Sequence, residues 1–167
     1  MKYHRCQSQE HLAKKIEALD SPVRRKVLSP EKLLEMLPIN QDDTILDIGA
    51  GTGYLTIPAA KRANGVVYAL DIDSNMLEVI NTKASKEKIT NIKPLKGKMD
   101  DIPLNDHSVD MVLASLVLHE GKDFVQPLLE IKRVLKEGGY FVCVEIEKDD
   151  HPTHNHPRIA STSMEKE

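Results

Sequence analysis

Ile45-Leu46-Asp47-Ile48-Gly49-Ala50-Gly51-Thr52-Gly53 decides how this chain folds. A short apolar run running straight into glycines reads as a buried strand. Three alternating glycines then allow a tight turn and let backbone approach a ligand closely, and the helix that follows offers its first N–H groups to the same place. A glycine turn can join a strand to a helix without binding anything. Three of them directly behind an apolar strand favour a binding loop.

The pattern repeats along the chain. Thr44 to Ile48, Val66 to Leu70, Ile92 to Leu95, Val109 to Ala114 and Tyr140 to Ile146 read as strands, with Pro94 suiting an edge. Tyr54 to Ala63 and Phe124 to Leu135 read as helices, the second stopped by Gly138-Gly139. A third helix, capped by Ser74, carries Met76, Leu77, Val79 and Ile80. Apolar runs, in place of in/out alternation, mean a parallel sheet covered on both faces, and right-handed crossovers make it doubly wound. The expected fold class is α/β, a doubly wound, mostly parallel sheet with helices on both faces.

Three regions follow. Residues 1–40 form a helical segment: Leu12, Ile16 and Leu19 share a helical spacing, Asp20-Ser21-Pro22 breaks it, and Ser29-Pro30-Glu31 opens a helix with Leu33, Leu34 and Leu37 on one face, ended by Pro38. If this segment folds over a pocket as a lid, Tyr3, His4, Arg5, Arg25 and Tyr54 would contribute to the site. Residues 41–149 form the ligand-binding domain. Residues 150–167 lose periodicity and read as a loop or tail; the prolines among His151, His154 and His156 make a loop a better reading than a metal site, and no metal is expected.

At 167 residues, 40% hydrophobic and 29% charged, the chain is large enough for one core without disulfides or metals. A net charge of -3 argues against a nucleic-acid surface. Lys83, Lys86, Lys88, Lys93, Lys96 and Lys98 read as a solvated face. No apolar run suits a membrane span, the first residues are not a signal peptide, and Cys143 lies in an apolar run as a buried inert thiol. The cytoplasm is the expected compartment.

The loop has the spacing G-x-G-x-G, and Tyr54 stands where a dinucleotide fingerprint needs its third glycine. Neither lysine nor arginine follows until Lys61, which speaks against a triphosphate cradle. Asp47 would repel a diphosphate and favour an ammonium or a sulfonium. Asp71 closes the second strand about 20 residues beyond the loop, where a carboxylate can accept from adenosine ribose hydroxyls. It suits NAD and S-adenosylmethionine alike. Asp73 is a second acceptor or simply a charge at a helix N-terminus.

At these residues the chain resembles the class I S-adenosylmethionine-dependent methyltransferases, within them the small ubiquinone-biosynthesis-like "type 11" group. The resemblance runs from about Leu19 to Glu147. It rests on four stretches in order: residues 45–53, residues 68–77, Asp101-Ile102-Pro103-Leu104 with His107-Ser108-Val109-Asp110, and Arg133-Val134-Leu135-Lys136-Glu137-Gly138-Gly139. The resemblance implies a Rossmann-like fold and S-adenosylmethionine as cofactor. It implies that the backbone around Gly49, Ala50, Gly51 and Gly53 borders the methionine part, and that Asp71 takes the ribose; Asp47 and Tyr54 are further cofactor-binding candidates. Ile72 and Met76 would flank the adenine, Met99 and Asp100 would face its edge, and Ser115 and Leu116 would line the site.

Two departures from the pattern stand out. Lys98 occupies a position where relatives often carry an acid, with Asp100 as its substitute, and the sequence ends at Glu167, so the usual C-terminal antiparallel strands are expected to be absent or truncated. On the acceptor side His119 and Glu145 are the candidate catalytic groups, at the mouths of the fourth and fifth strands. The expected activity is methyl transfer to a small-molecule acceptor by in-line displacement, giving S-adenosylhomocysteine. The alternatives are a non-catalytic subunit that binds the cofactor and an NAD-dependent oxidoreductase.

Overall fold

The computed structural model describes residues 2–120 and 125–145, with the backbone alone for 2–9 and 120. Three helices lead the chain: α1 (Lys2–Leu19), α2 (Pro22–Val27) and α3 (Pro30–Glu35). Strand and helix then alternate as β1 (Ile45–Ile48), α4 (Thr56–Arg62), β2 (Val67–Asp71), α5 (Ser74–Lys86) and β3 (Ile92–Lys96). β4 (Val109–Ser115), a 3-10 turn (Leu118–Glu120), α6 (Val125–Val134) and β5 (Leu135–Val144) complete the described residues. His151, His154, His156 and the rest of the expected tail lie outside them.

All strand pairs are parallel, in the order β3-β2-β1-β4-β5. The order reverses between β1 and β4, which opens a crevice at their carboxyl ends. Alternation along each strand sends side chains to two covered faces. Leu46, Ile48, Leu70, Val112 and Ala114 pack on one side with Ile131 and Val134 of α6. Ile45, Val67, Met111 and Leu113 pack on the other with Leu34 of α3 and Ala59 and Ala60 of α4. Ala69 meets Leu77 and Ile80 of α5 on that second side. Pro94 sits on the edge strand β3, as its missing N–H requires.

Four local expectations are corrected. Asp73, not Ser74, caps α5: its carboxylate accepts from Asn75 N at 3.0 Å. Helix α3 ends at Glu35, before Leu37 and Pro38, in a turn closed by Met36. Helix α6 ends at Val134, ahead of the glycine pair, because the N–H groups of His107 and Ser108 take the carbonyls of Arg133 and Val134 at 2.9 and 2.8 Å. Leu135 is already paired with Val109, and the ladder resumes at Tyr140 opposite Met111, so the glycines lie in a bulge. Lys83 turns inward, with its Nζ 3.0 and 2.8 Å from the two Asp20 oxygens and 2.8 Å from Thr52 O.

Arg133 shows how α6 fixes the loop before β4. Its guanidinium donates to both Glu130 oxygens, to the carbonyls of Ile102 and Leu104, and to Asp106, all at 2.7–2.8 Å. Glu130 in turn accepts from Ile102 N at 2.8 Å. A lysine cannot reproduce this planar fork. Arg133→Lys is expected to cost about 1.5–3 kcal/mol, the range for hydrogen bonds to charged groups, in urea unfolding. A loss within 0.5 kcal/mol, the scatter of ordinary surface changes, would show the fork to be dispensable.

Candidate functional site

The crevice holds a cavity of about 1040 Å³. Its floor is the turn after β1, its walls are the ends of β2 and β4, and Lys15, Ala18, Leu19 and Arg24 close it from the N-terminal helices. Asp47, Gly49, Ala50, Gly51, Tyr54, Asp71, Ile72, Met76, Met99, Asp100, Ser115 and Leu116 all line it, as does His119. Gly53 does not; it faces Ile57 and Ile80 and borders a smaller cavity of about 560 Å³ together with Arg25. Glu145 stands behind His119 and outside the lining.

Gly49 is the tightest point of the floor. It has φ +64°, and a Cβ placed there would lie 2.3 Å from Val117 Cγ2. Glycine thus answers two demands: a left-handed backbone and the close approach of the loop that follows β4. Gly51 donates its N–H to Asp71 Oδ2 at 2.8 Å, while Asp71 Oδ1 accepts from Asp73 N at 2.8 Å. The carboxylate is thereby held rigidly at the rim, and each oxygen keeps further acceptor capacity.

Asp47 lies below the loop, 3% exposed, and accepts from Thr56 Oγ1 at 2.5 Å. Burial pushes its carboxyl up to about 7; the Thr56 hydroxyl pulls down, Asp71 pushes up and Arg24 pulls down. Ser115 Oγ is buried in the cavity wall without a hydrogen-bond partner among the described residues. Ile72, by contrast, is 65% exposed, an aliphatic side chain offered at the cavity edge. A carboxylate rim, a buried acid, an unpaired hydroxyl and exposed apolar surface suit a cationic sulfur nucleoside, and the residues present fit S-adenosylmethionine.

Tyr54 serves the N-terminal helices as well as the cavity. Its hydroxyl donates to Leu28 O, and the Arg24 guanidinium lies 4.3 Å from its ring centre. Asp20 bonds Thr52 Oγ1 at 2.7 Å and Lys83, and Lys15 pairs with Asp73 at 3.1 Å. These bonds fasten the ends of α1 and α2 over the glycine loop. The side chains of Tyr3, His4 and Arg5 lie outside the described residues.

Sequence reasoning passed over Lys15, Arg24, Val117, Gln126 and Pro127, all of which line the cavity. Val117 directly follows the named Ser115 and Leu116 after β4, whereas no local signal marks the other four, which reach the cavity from α1, α2 and α6. Glu145 Oε1 accepts from Val117 N and Leu118 N at 2.9 and 2.8 Å, and Oε2 lies 2.7 Å from His119 Nδ1. Among the described residues there is neither a metal-binding cluster nor a helix long and apolar enough to cross a membrane.

Comparison with known proteins agrees with this geometry. A family model described as a methyltransferase domain matches residues 39–166. Over 140 residues the chain is 31% identical to the demethylmenaquinone methyltransferase of Geobacillus sp. (strain WCH70), covering 81% of this chain and 60% of that protein. It is 34% identical over 123 residues to the malonyl-[acyl-carrier protein] O-methyltransferase of Marinomonas sp. (strain MWYL1), covering 73% and 45%. The chain therefore spans less than two thirds of these curated relatives. The crystal structure of a SAM-dependent methyltransferase from Aquifex aeolicus superposes with a TM-score of 0.81 at 29% identity, covering 90% of this chain and 82% of that one. The chain belongs to the methyltransferase-domain family, as a class I, S-adenosylmethionine-dependent member.

Proposed function

We propose that this chain binds S-adenosylmethionine in the β1/β4 crevice and directs its methyl group to a small molecule held beside His119. The observation that carries this reading is the Gly49–Gly53 loop, pinned by Asp71 above and underlain by the buried Asp47. The relatives support it by name: one acts on demethylmenaquinone and the other on a malonyl group carried by a protein.

The cofactor, when bound, supplies a methyl already activated on a sulfonium. The chain's own part is placement, which can lower such a barrier by roughly 7–11 kcal/mol at best. Asp71 would accept from the ribose hydroxyls, Ile72 would flank the adenine with the buried Met76 packed behind, and Met99 and Asp100 would meet its edge. Asp47, when ionised, offers its negative charge to the cationic end. Ser115 Oγ supplies the hydrogen bond that the fold leaves unused. The fastened ends of α1 and α2 wall one side of the crevice, and the cytoplasm is the compartment that goes with this reading.

Isothermal calorimetry tests it. The wild-type chain should bind S-adenosylhomocysteine and not NAD. Asp71→Ala should weaken that binding at least tenfold, since a hydrogen bond to a charged acceptor is worth about 1.5–3 kcal/mol. Asp71→Asn, which retains an oxygen for Gly51 N, separates ligand contact from loop support. An unchanged dissociation constant in both variants would remove Asp71 from the site, and NAD binding in place of the nucleoside would end the reading.

A further inference from the structure

Resting on that reading, the pairing of His119 with Glu145 says what kind of acceptor the site takes. The Glu145 carboxylate is 7% exposed and meets three donors: two backbone N–H groups and the His119 ring. A carboxylate so engaged, outside the cavity lining, is not placed to receive a proton from a bound molecule. It can only accept, so the 2.7 Å contact puts a proton on Nδ1. In the neutral ring the lone pair is then on Nε2. The side chain is 17% exposed and lines the cavity, and no described residue bonds Nε2. A carboxylate behind an imidazole that lines a ligand cavity, with its far nitrogen unbonded by any described residue, is the arrangement of an oriented general base.

We infer that His119 is the general base, that Glu145 is its positioning residue, and that the acceptor is a hydroxyl compound, an alcohol or a phenol, in preference to a carboxylate. A carboxylate is already ionised near neutral pH and would leave such a base idle. A hydroxyl must lose its proton as it attacks. The O–H bond breaks with its proton passing to Nε2, and an O–C bond forms to the methyl. The S–C bond breaks with its electron pair leaving on sulfur. A methyl ether and S-adenosylhomocysteine result, and the imidazolium releases its proton to water.

The test has three parts on the full chain. Calorimetry with S-adenosylhomocysteine comes first, on wild type and His119→Gln; failure of the wild type to bind sinks the cofactor reading itself. Nitrogen-15 spectra of the histidine rings, with S-adenosylhomocysteine bound at pH 8, should show His119 protonated at Nδ1 and bare at Nε2. The opposite tautomer overturns the inference. Methyl transfer from labelled S-adenosylmethionine is then measured with catechol, 1,4-naphthohydroquinone and octanoate. Methyl ether should form from a hydroxyl probe, and His119→Gln should lower kcat at least 100-fold while the KM for S-adenosylmethionine stays within threefold. Glu145→Gln, which keeps an acceptor for the backbone N–H groups, should lower kcat about tenfold with KM again unmoved. The inference fails if ether formation survives His119→Gln, if octanoate is esterified preferentially, or if neither hydroxyl probe is methylated by protein that binds S-adenosylhomocysteine.

Discussion

Gly49→Ala is expected to destabilise the fold by about 2–5 kcal/mol and to weaken nucleoside binding as well. A left-handed backbone costs an alanine roughly 1–2 kcal/mol, and overpacking adds about 1–3 kcal/mol. The added Cβ would meet Val117 at 2.3 Å from Cγ2 and 2.8 Å from Cβ. Val117 cannot withdraw freely, since its N–H is tied to Glu145 at 2.9 Å. Strain at Gly49 therefore passes to the turn that carries His119. Val117→Ala in the same chain removes the nearest atom and should restore part of the lost stability, leaving the backbone cost. Urea unfolding of the single and double variants measures both terms. A single variant within 0.5 kcal/mol of wild type would mean that the loop after β4 yields easily.

Asp47→Asn is expected to move stability and ligand affinity in opposite directions. Burial holds the folded carboxyl at about 7, above the ordinary value of about 4 in an unfolded chain. The folded protein thus binds this proton more tightly than the unfolded chain does. The stabilisation that follows is whole below pH about 4 and is lost as pH rises through 7. Asparagine keeps an oxygen for the Thr56 hydroxyl and carries no charge to bury. At pH 8 the variant should be more stable by roughly 3–5 kcal/mol, the gap of about three pH units between the two values at about 1.4 kcal/mol each, narrowing to parity near pH 4. S-adenosylmethionine should bind the variant about tenfold more weakly at pH 8, an attraction of about 1.4 kcal/mol removed. S-adenosylhomocysteine, which lacks the sulfonium, should lose less. A variant less stable than wild type at pH 8 would show that the ionised carboxylate is well compensated where it lies.

The turn from β1 to α4 was legible because its signals are local. A buried four-residue strand, glycines at alternate positions and an acid at the end of the next strand are patterns of period and turn chemistry, and each is set by near neighbours. The same holds for Pro94 at an edge and Ser29 at a helix start. The choice between Asp73 and Ser74 as a cap was not legible, since adjacent residues of similar capping strength are separated only by where the strand lets go of the chain.

By itself, then, the sequence determined the doubly wound sheet, the glycine loop and the placing of the carboxylates Asp47 and Asp71 beside that loop. Tertiary structure alone decided what surrounds that loop. Glu145 reaches His119 because β5 lies beside β4, and Lys83 holds Asp20 because both side chains converge on Thr52 of the glycine loop. Lys15 and Arg24 become cavity walls for the same kind of reason. Periodicity specifies which face of an element is buried, whereas the partner of a polar side chain depends on strand order and helix placement, which only the assembled sheet supplies.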